Sequence, residues 1–317
     1  MMALTRRLYQ GEDDYWRIRT FLREVLLRND LRELSWHVAE FDYWRWHLVA
    51  NLSGGDLADG VFLWETAEGR LAAVLNPIMG GEAILHVHPD FRTPALEDEM
   101  LTVAAEHLAV TGDDGRRTLW VSAGVADELR RAALTRNGFE CLSAPERQAY
   151  WRRRPLDAPI PASPPPLGYT VRALGDGLEL LERCYASGLA FHPDEPAIAI
   201  ENRDDVSWYR NIQNAPLYRR DLDLVAVAPD GAVAAFCTAW FDDVTRTAVF
   251  EPVGTVPAHQ RRGLGKAVLC EAFRRLKRLG AVMAYVHSYE APAHALYASV
   301  GFTDYDLVEP FFKSILR

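Results

Sequence analysis

The sequence predicts an α/β fold (an α+β mixed sheet) built from two copies of one unit, the N-terminal copy degenerate. Three observations carry this. The order hairpin, strand, helix, strand, helix, strand occurs twice. A proline-dense segment, Pro155–Pro166, lies between the two occurrences. Each occurrence ends on a short helix closed by Gly-Phe, at Gly138-Phe139 and Gly301-Phe302. The expected division is 1–154, a linker at 155–166, and 167–317.

In the first half, Val61–Trp64 and Leu71–Leu75 flank a turn at Glu68-Gly69 and read as a hairpin. Ala83–His88 follows as a strand. Leu96, Met100, Ala104 and Leu108 repeat at helical spacing and mark one buried stripe. Thr118–Val121 is the next strand. In the second half, Tyr169–Arg172 is a short strand and a helical pattern starts at Leu178. Leu224–Ala228 and Val233–Trp240 form a hairpin across Pro229-Asp230-Gly231. Thr247–Val256 is a strand, and Leu264, Val268, Ala272, Leu276 and Leu279 give the following helix its apolar face, with Gly280 to end it. Ala281–Val286 is a strand; a helix starts at Pro292; Phe302 opens the last strand.

The chain is long enough for two domains with substantial cores, and 49% of it is hydrophobic. Its net charge of −9 argues against a general nucleic-acid binder, which presents a basic face. The longest apolar run, Ala232–Phe241, is far short of the ~20 residues that span a bilayer. Met1–Arg7 has no apolar stretch behind it, so no signal peptide is expected there. Cys141, Cys184, Cys237 and Cys270 are scattered without paired spacing, which suits reduced thiols in a cytoplasm.

The chemistry concentrates at Gln260-Arg261-Arg262-Gly263-Leu264-Gly265-Lys266-Ala267, between a strand and a helix. A helix start leaves backbone N–H groups free and carries the positive end of the dipole, so an anion can sit there. The glycines allow close approach, and Arg261, Arg262 and Lys266 add positive potential. A pyrophosphate is the expected guest. The first half has Pro89–Glu99 at this place, with Ala95 and Glu97 in the glycine positions. Arg92 remains, but Glu97, Asp98 and Glu99 are expected to occupy the dipole and repel a phosphate.

The loop, with Ala293–Phe302 (A-H-A-L-Y-A-S-V-G-F) downstream, resembles the GNAT superfamily of acyl-CoA-dependent N-acetyltransferases over about 167–317. The resemblance implies acetyl-CoA as co-substrate, direct transfer to the primary amine of a small molecule in a ternary complex, and no metal. It implies that Val253, Thr255 and Val256 line the pantetheine arm, and that Gln260–Ala267 hold the pyrophosphate. Tyr297 matches the family's general acid; its phenol pKa near 10 keeps it protonated at neutral pH. Glu251, on the strand leading to the loop, is the expected base. Glu290 stands where the family commonly has asparagine. The tandem layout is similar to that of the mycothiol synthases, whose acceptor is the amine of a cysteinyl pseudodisaccharide. The alternative from another class is a non-catalytic acyl-CoA sensor.

Other polar and aromatic groups have plainer expectations. His86 and His88 share a strand face but lack a third ligand with clear spacing, so a structural pair is expected. Trp36, Phe41, Tyr43, Trp44 and Trp46 are expected to be largely core, and Trp208, Tyr209 and Tyr218 fall where an acceptor site would be built. His287 and Ser288 end their strand, open to substrate or water.

Overall fold

The computed structural model describes residues 3–112 and 115–315; Met1 and Met2, at the head of the N-terminal stretch, lie outside it. The chain forms two compact units. One takes in everything through Trp151 together with His287–Tyr289 and the stretch from Asp306; the other comprises Arg152–Val286 and Glu290–Tyr305.

The chain opens with β1 (Thr5–Leu8), α1 (Glu12–Arg28) and α2 (Val38–Tyr43), which runs on as a π-helix over Trp44–Ser53. Then come β2 (Phe62–Glu65), β3 (Leu71–Pro77), β4 (Ala83–Val87), α3 (Pro94–His107), β5 (Val110–Thr111), β6 (Arg117–Gly124), α4 (Glu128–Arg136), β7 (Glu140–Cys141) and β8 (Ala149–Pro155). β1 to β4 are antiparallel neighbours in sequence order. β6 pairs with β5 and, antiparallel, with β14 (Asp304–Ile315) from Val308↔Gly124 to Ile315↔Arg117. The expected stripe of α3 is inside: Leu96, Met100, Ala104 and Leu108 pack with Leu85, Leu119, Val121 and Phe311. Trp36, Phe41 and Trp44 are core as expected, and Phe41 stacks on both Tyr15 and Trp44.

The second unit follows the sequence pattern closely. Its elements are β9 (Thr170–Ala173), α5 (Leu178–Phe191), α6 (Pro196–Asp204), α7 (Ser207–Gln213), β10 (Asp223–Val227), β11 (Val233–Asp242), β12 (Thr247–Thr255), α8 (Leu264–Arg278), β13 (Met283–Ser288) and α9 (Ala291–Ser299). β9, β10, β11 and β12 are antiparallel in turn, and β13 adds to β12 in parallel. The mixed sheet expected from the element order is therefore present. Leu264, Val268, Ala272 and Leu276 of α8 pack on Leu224, Ala226, Cys237, Ala239, Ala248 and Phe250. Burying such a stripe is what holds an amphipathic helix, at roughly 25 cal/mol per Å² of apolar area. Gly280 ends α8 as expected, at φ 84, and the Ala281 N–H reaches back to the Leu276 carbonyl at 3.0 Å. That bond, with Val282 N–H to the Arg246 carbonyl at 2.7 Å, delays the strand to Met283. No disulfide joins the cysteines; Cys141 is half-buried and the other three are buried.

Past Pro155, which ends β8, the proline-dense segment has no regular structure and is fixed by Arg154. The Arg154 guanidinium, 1% exposed, donates to the carbonyls of Val300 (2.9 Å), Pro155 (3.0 Å) and Pro159 (2.8 Å), and stacks 4.6 Å above the Phe273 ring. Gly301 makes room for it: φ is 96, and a Cβ there would lie 2.8 Å from Arg154 Nε. Both strain and overlap oppose any side chain. Gly301→Ala should therefore cost about 1–3 kcal/mol and lower the melting temperature by several degrees in a circular-dichroism melt; an unchanged melt would mean that Arg154 moves aside freely.

Candidate active site

β12 and β13 stay paired only at their start. Their parallel ladder covers Thr247↔Met283, Ala248↔Ala284 and Val249↔Tyr285, after which β12 continues to Thr255. On its other edge β12 keeps β11, with a bulge: Ala239 faces Phe250, but Cys237 faces Val253. Glu251 and Pro252 occupy the bulge, joined by a cis peptide bond. The strand edge past Val249 thus offers main-chain groups outside the β13 ladder, next to a carboxylate.

The Gln260–Ala267 turn follows directly. Arg261 and Gly263 both take left-handed conformations, φ 61 and 81, which turn successive N–H groups toward one point. α8 then begins without a side-chain cap, and its first internal bond is Ala267 N–H to the Gly263 carbonyl at 3.0 Å. The N–H groups ahead of it are the unsatisfied donors of a helix start. Gly263 has nothing within 4 Å of where a Cβ would be. Gly265 is different: a Cβ would come within 3.2 Å of Leu296 and 3.3 Å of the Thr255 hydroxyl, so this glycine lets α8 start against both β12 and α9.

The flanking side chains divide by task. Arg261 is exposed, and neither it nor half-buried Lys266 has a hydrogen-bond partner among the described residues. Arg262 is pinned: it donates to the Tyr169 hydroxyl at 3.1 Å, which also meets His259 Nδ1 at 2.9 Å. Gln260 donates to the Thr255 carbonyl at 3.2 Å. Leu264 and Ala267 are buried in the core beneath the turn, Val253 is half-buried against that core, and the Val256 N–H bonds the Ala234 carbonyl. Tyr297, on α9 one residue past Leu296, is 6% exposed and meets the Phe302 ring edge-on at 6.0 Å. The residues expected to form one site therefore gather on four adjoining pieces: the end of β12, the turn, the start of α8, and α9. Glu290 is exposed at the head of α9 and makes no side-chain cap.

The first unit treats the equivalent helix start in the opposite way. The Thr93 hydroxyl caps α3 by accepting the Leu96 N–H at 3.2 Å. The three acids do not crowd the dipole as the sequence suggested. Glu97 is fully buried and bonds Arg92 (2.7 Å) and Arg130 (3.0 Å), Asp98 bonds Arg136, and Glu99 accepts from the Trp64 indole. Asp127 accepts from Arg92 Nη2 at 2.7 and 2.9 Å. Burial pushes the Glu97 carboxyl up, but Arg130 and Arg92 outweigh it and hold it below the usual carboxylate range. Arg92 survives in the sequence and is spent on internal carboxylates.

The histidines separate similarly. His86 Nε2 lies 2.8 Å from Asn76 Oδ1, and burial pushes its pKa down to about 3; His88 Nδ1 accepts the Asp90 N–H at 3.1 Å. One trio that sequence spacing could not disclose is Glu33, Glu40 and His287, which meet in the first unit. His287 Nδ1 is 3.1 Å from Glu40 and Nε2 3.4 Å from Glu33, with the ring stacked on Trp151 at 4.7 Å. Asp223, Arg183 and Trp240, in the second unit, were also invisible as site residues in the sequence.

Comparisons with known proteins agree with this geometry. The acetyltransferase (GNAT) family pattern matches residues 180–302. The mycothiol acetyltransferase of Acidothermus cellulolyticus is 30% identical over 284 residues, covering 81% of either chain; that of Thermobispora bispora is 28% identical, covering 81% of this chain and 84% of its own. Among solved structures, a GCN5-related N-acetyltransferase from Sphaerobacter thermophilus superposes with a TM-score of 0.67 at 20% identity, covering 99% of this chain and 96% of the other. A tandem GNAT protein from the clavulanic acid biosynthesis pathway gives 0.63 at 15% identity, covering 98% of both chains. The family match and the 30% identity over four-fifths of both chains show an acyl-CoA-dependent acetyltransferase, and the chain belongs to the GNAT acetyltransferase family.

Proposed function

We propose that the second unit transfers an acetyl group from acetyl-CoA to the primary amine of a small molecule by direct attack within a ternary complex. The observation that carries this reading is the uncapped start of α8, with Arg261 and Lys266 unengaged beside it, against a capped and neutralised counterpart in the first unit. The N–H groups from Arg261 to Ala267 would hold the pyrophosphate, with Gln260, Arg262, Gly263, Leu264 and Gly265 shaping the turn. The edge of β12 at Val253, Thr255 and Val256 would run along the pantetheine arm and polarise the thioester carbonyl. The amine nitrogen attacks that carbonyl carbon. Glu251 takes the proton released by the amine. The C–S bond then breaks, and the Tyr297 hydroxyl protonates the departing sulfur. The first unit, whose Arg92 is already neutralised, would hold no acetyl-CoA.

The similarity to mycothiol acetyltransferases makes a cysteinyl pseudodisaccharide amine the first acceptor to assay, ahead of a panel of small primary amines. No helix among the described residues is long and apolar enough to cross a membrane.

Acetyl-CoA at 100 times its Kd should stabilise the native protein by about 2.7 kcal/mol, read as a rise in melting temperature. Gly263→Leu should abolish that rise, because φ 81 strains any side chain and the leucine would fill the cradle. Ala95→Leu, on the exposed start of α3, should leave it intact; equal loss from both variants would sink the one-site reading. Tyr297→Phe should lower kcat for CoA release about 10²–10⁴-fold while keeping the thermal shift. Wild-type turnover in that variant would remove Tyr297 as the acid, and absence of turnover with every amine would favour an acyl-CoA sensor.

A further inference from the structure

The face of the second unit's sheet away from α8 carries a buried polar layer that the reaction as written does not use. Its centre is Asp223, at the start of β10 and fully buried. The carboxylate accepts the Tyr209 hydroxyl at 2.6 Å, the Tyr218 hydroxyl at 2.8 Å and the Thr238 hydroxyl at 3.2 Å. Arg183, from α5, is also fully buried, yet its Nε, Nη1 and Nη2 have no hydrogen-bond partner among the described residues. Its guanidinium lies 3.6 Å from the centre of the Phe236 ring and 4.9 Å from that of Tyr209. Phe236 in turn packs under Gly254, where a Cβ would come within 2.3 Å of the ring.

A guanidinium stripped of water is costly unless its field is used. Here it falls on Asp223. Burial holds that carboxyl above the ordinary carboxylate range, and Arg183 is the largest of the pulls that oppose it. The charge thus favours the ionised form, which can accept from two phenols and a threonine at once. The first unit holds a comparable trio in contact, with Arg19 2.8 Å and the Tyr15 hydroxyl 2.6 Å from Asp42. In the second unit the arginine is drawn off onto Phe236, and the carboxylate is left to the hydroxyls.

The layer leads toward the reacting end of β12. Tyr218, fixed by Asp223, meets the ring of Trp240 edge-on at 6.1 Å and 67°. Trp240 is fully buried, and its indole N–H donates to the carbonyl of Glu251 at 2.5 Å. Glu251 sits in the bulge, where the ladder to β11 slips by a residue and cannot fix the peptide by itself. The indole supplies that constraint. Holding the carbonyl fixes the peptide plane, and with it the direction in which the Glu251 side chain leaves the strand.

We infer that Trp240 is a positioning residue for Glu251, braced from behind by Tyr218 and the Asp223–Arg183 pair. This rests on Glu251 being the base. A base must lie within hydrogen-bond reach of the proton that it takes, and a misplacement of about 1 Å can cost on the order of 100-fold.

The test is a double-mutant cycle on CoA release, with acetyl-CoA and the cysteinyl pseudodisaccharide amine or the fastest amine of the panel. Trp240→Phe keeps an aromatic ring and removes the N–H. It should lower kcat by about 10-fold or more, leave the KM for acetyl-CoA within twofold, and keep the acetyl-CoA thermal shift. In a Glu251→Gln background the same change should cost nothing further. Equal factors in both backgrounds, or wild-type kcat for Trp240→Phe, would overturn the proposal. Should Trp240→Phe fail to fold, Tyr218→Phe, which frees the ring from Asp223, should show the same dependence on Glu251 with a smaller loss; its absence overturns the proposal equally. Glu251→Gln by itself is a separate arm: wild-type kcat there removes the base assignment, and the positioning role with it.

Discussion

A helix cannot satisfy its own first N–H groups, and much of this protein follows from how that debt is met at two places. At α3 it is met internally, by the Thr93 hydroxyl, while a buried carboxylate neutralises the neighbouring arginine. At α8 it is left open, and the chain goes to some trouble to leave it so. A non-glycine residue, Arg261, accepts a left-handed φ of 61, which is unfavourable for any side chain and is offset only by what the turn then presents. One fold with one donor problem yields a capped helix start in one unit and an open one in the other.

The open start also fixes its neighbours. Gly265 brings the first turn of α8 against Thr255 and Leu296, so the strand end, the turn and α9 cannot drift independently. Tyr297 follows Leu296 on that helix, and Phe302 closes the packing below it. The separation of β12 from β13 beyond Val249 gives the main chain of β12 an edge that a sheet would otherwise consume. An acyl-CoA donor bound there, as proposed, would be recognised mostly by backbone.

Much of this could be read in the sequence, and the reason differs by feature. The stripe of α8, both hairpins and the Gly280 stop are local patterns, and local patterns survive tertiary packing. The loop was legible because its glycines have backbone duties. The role of Glu97 was misread because an acid in the first turn of a helix signals dipole pairing, whereas its real partner, Arg130, is on another helix. Pairings across long separations left no trace: Asp223 with Tyr209, Trp240 with the Glu251 carbonyl, His287 with Glu33 and Glu40. The π-helix at Trp44–Ser53 also escaped, since its composition reads as ordinary helix.

The pairing of β14 with β6 has a consequence for how the protein is made. The sheet of the first unit takes in strand residues Val308–Ile315, which register against Arg117–Gly124. In the chain these residues come after the second unit. The first unit therefore cannot finish its sheet before the second unit has been made, and the edge of β6 must wait for it. Completion of the first sheet is in this way a sign that the chain between its two pieces has already been made.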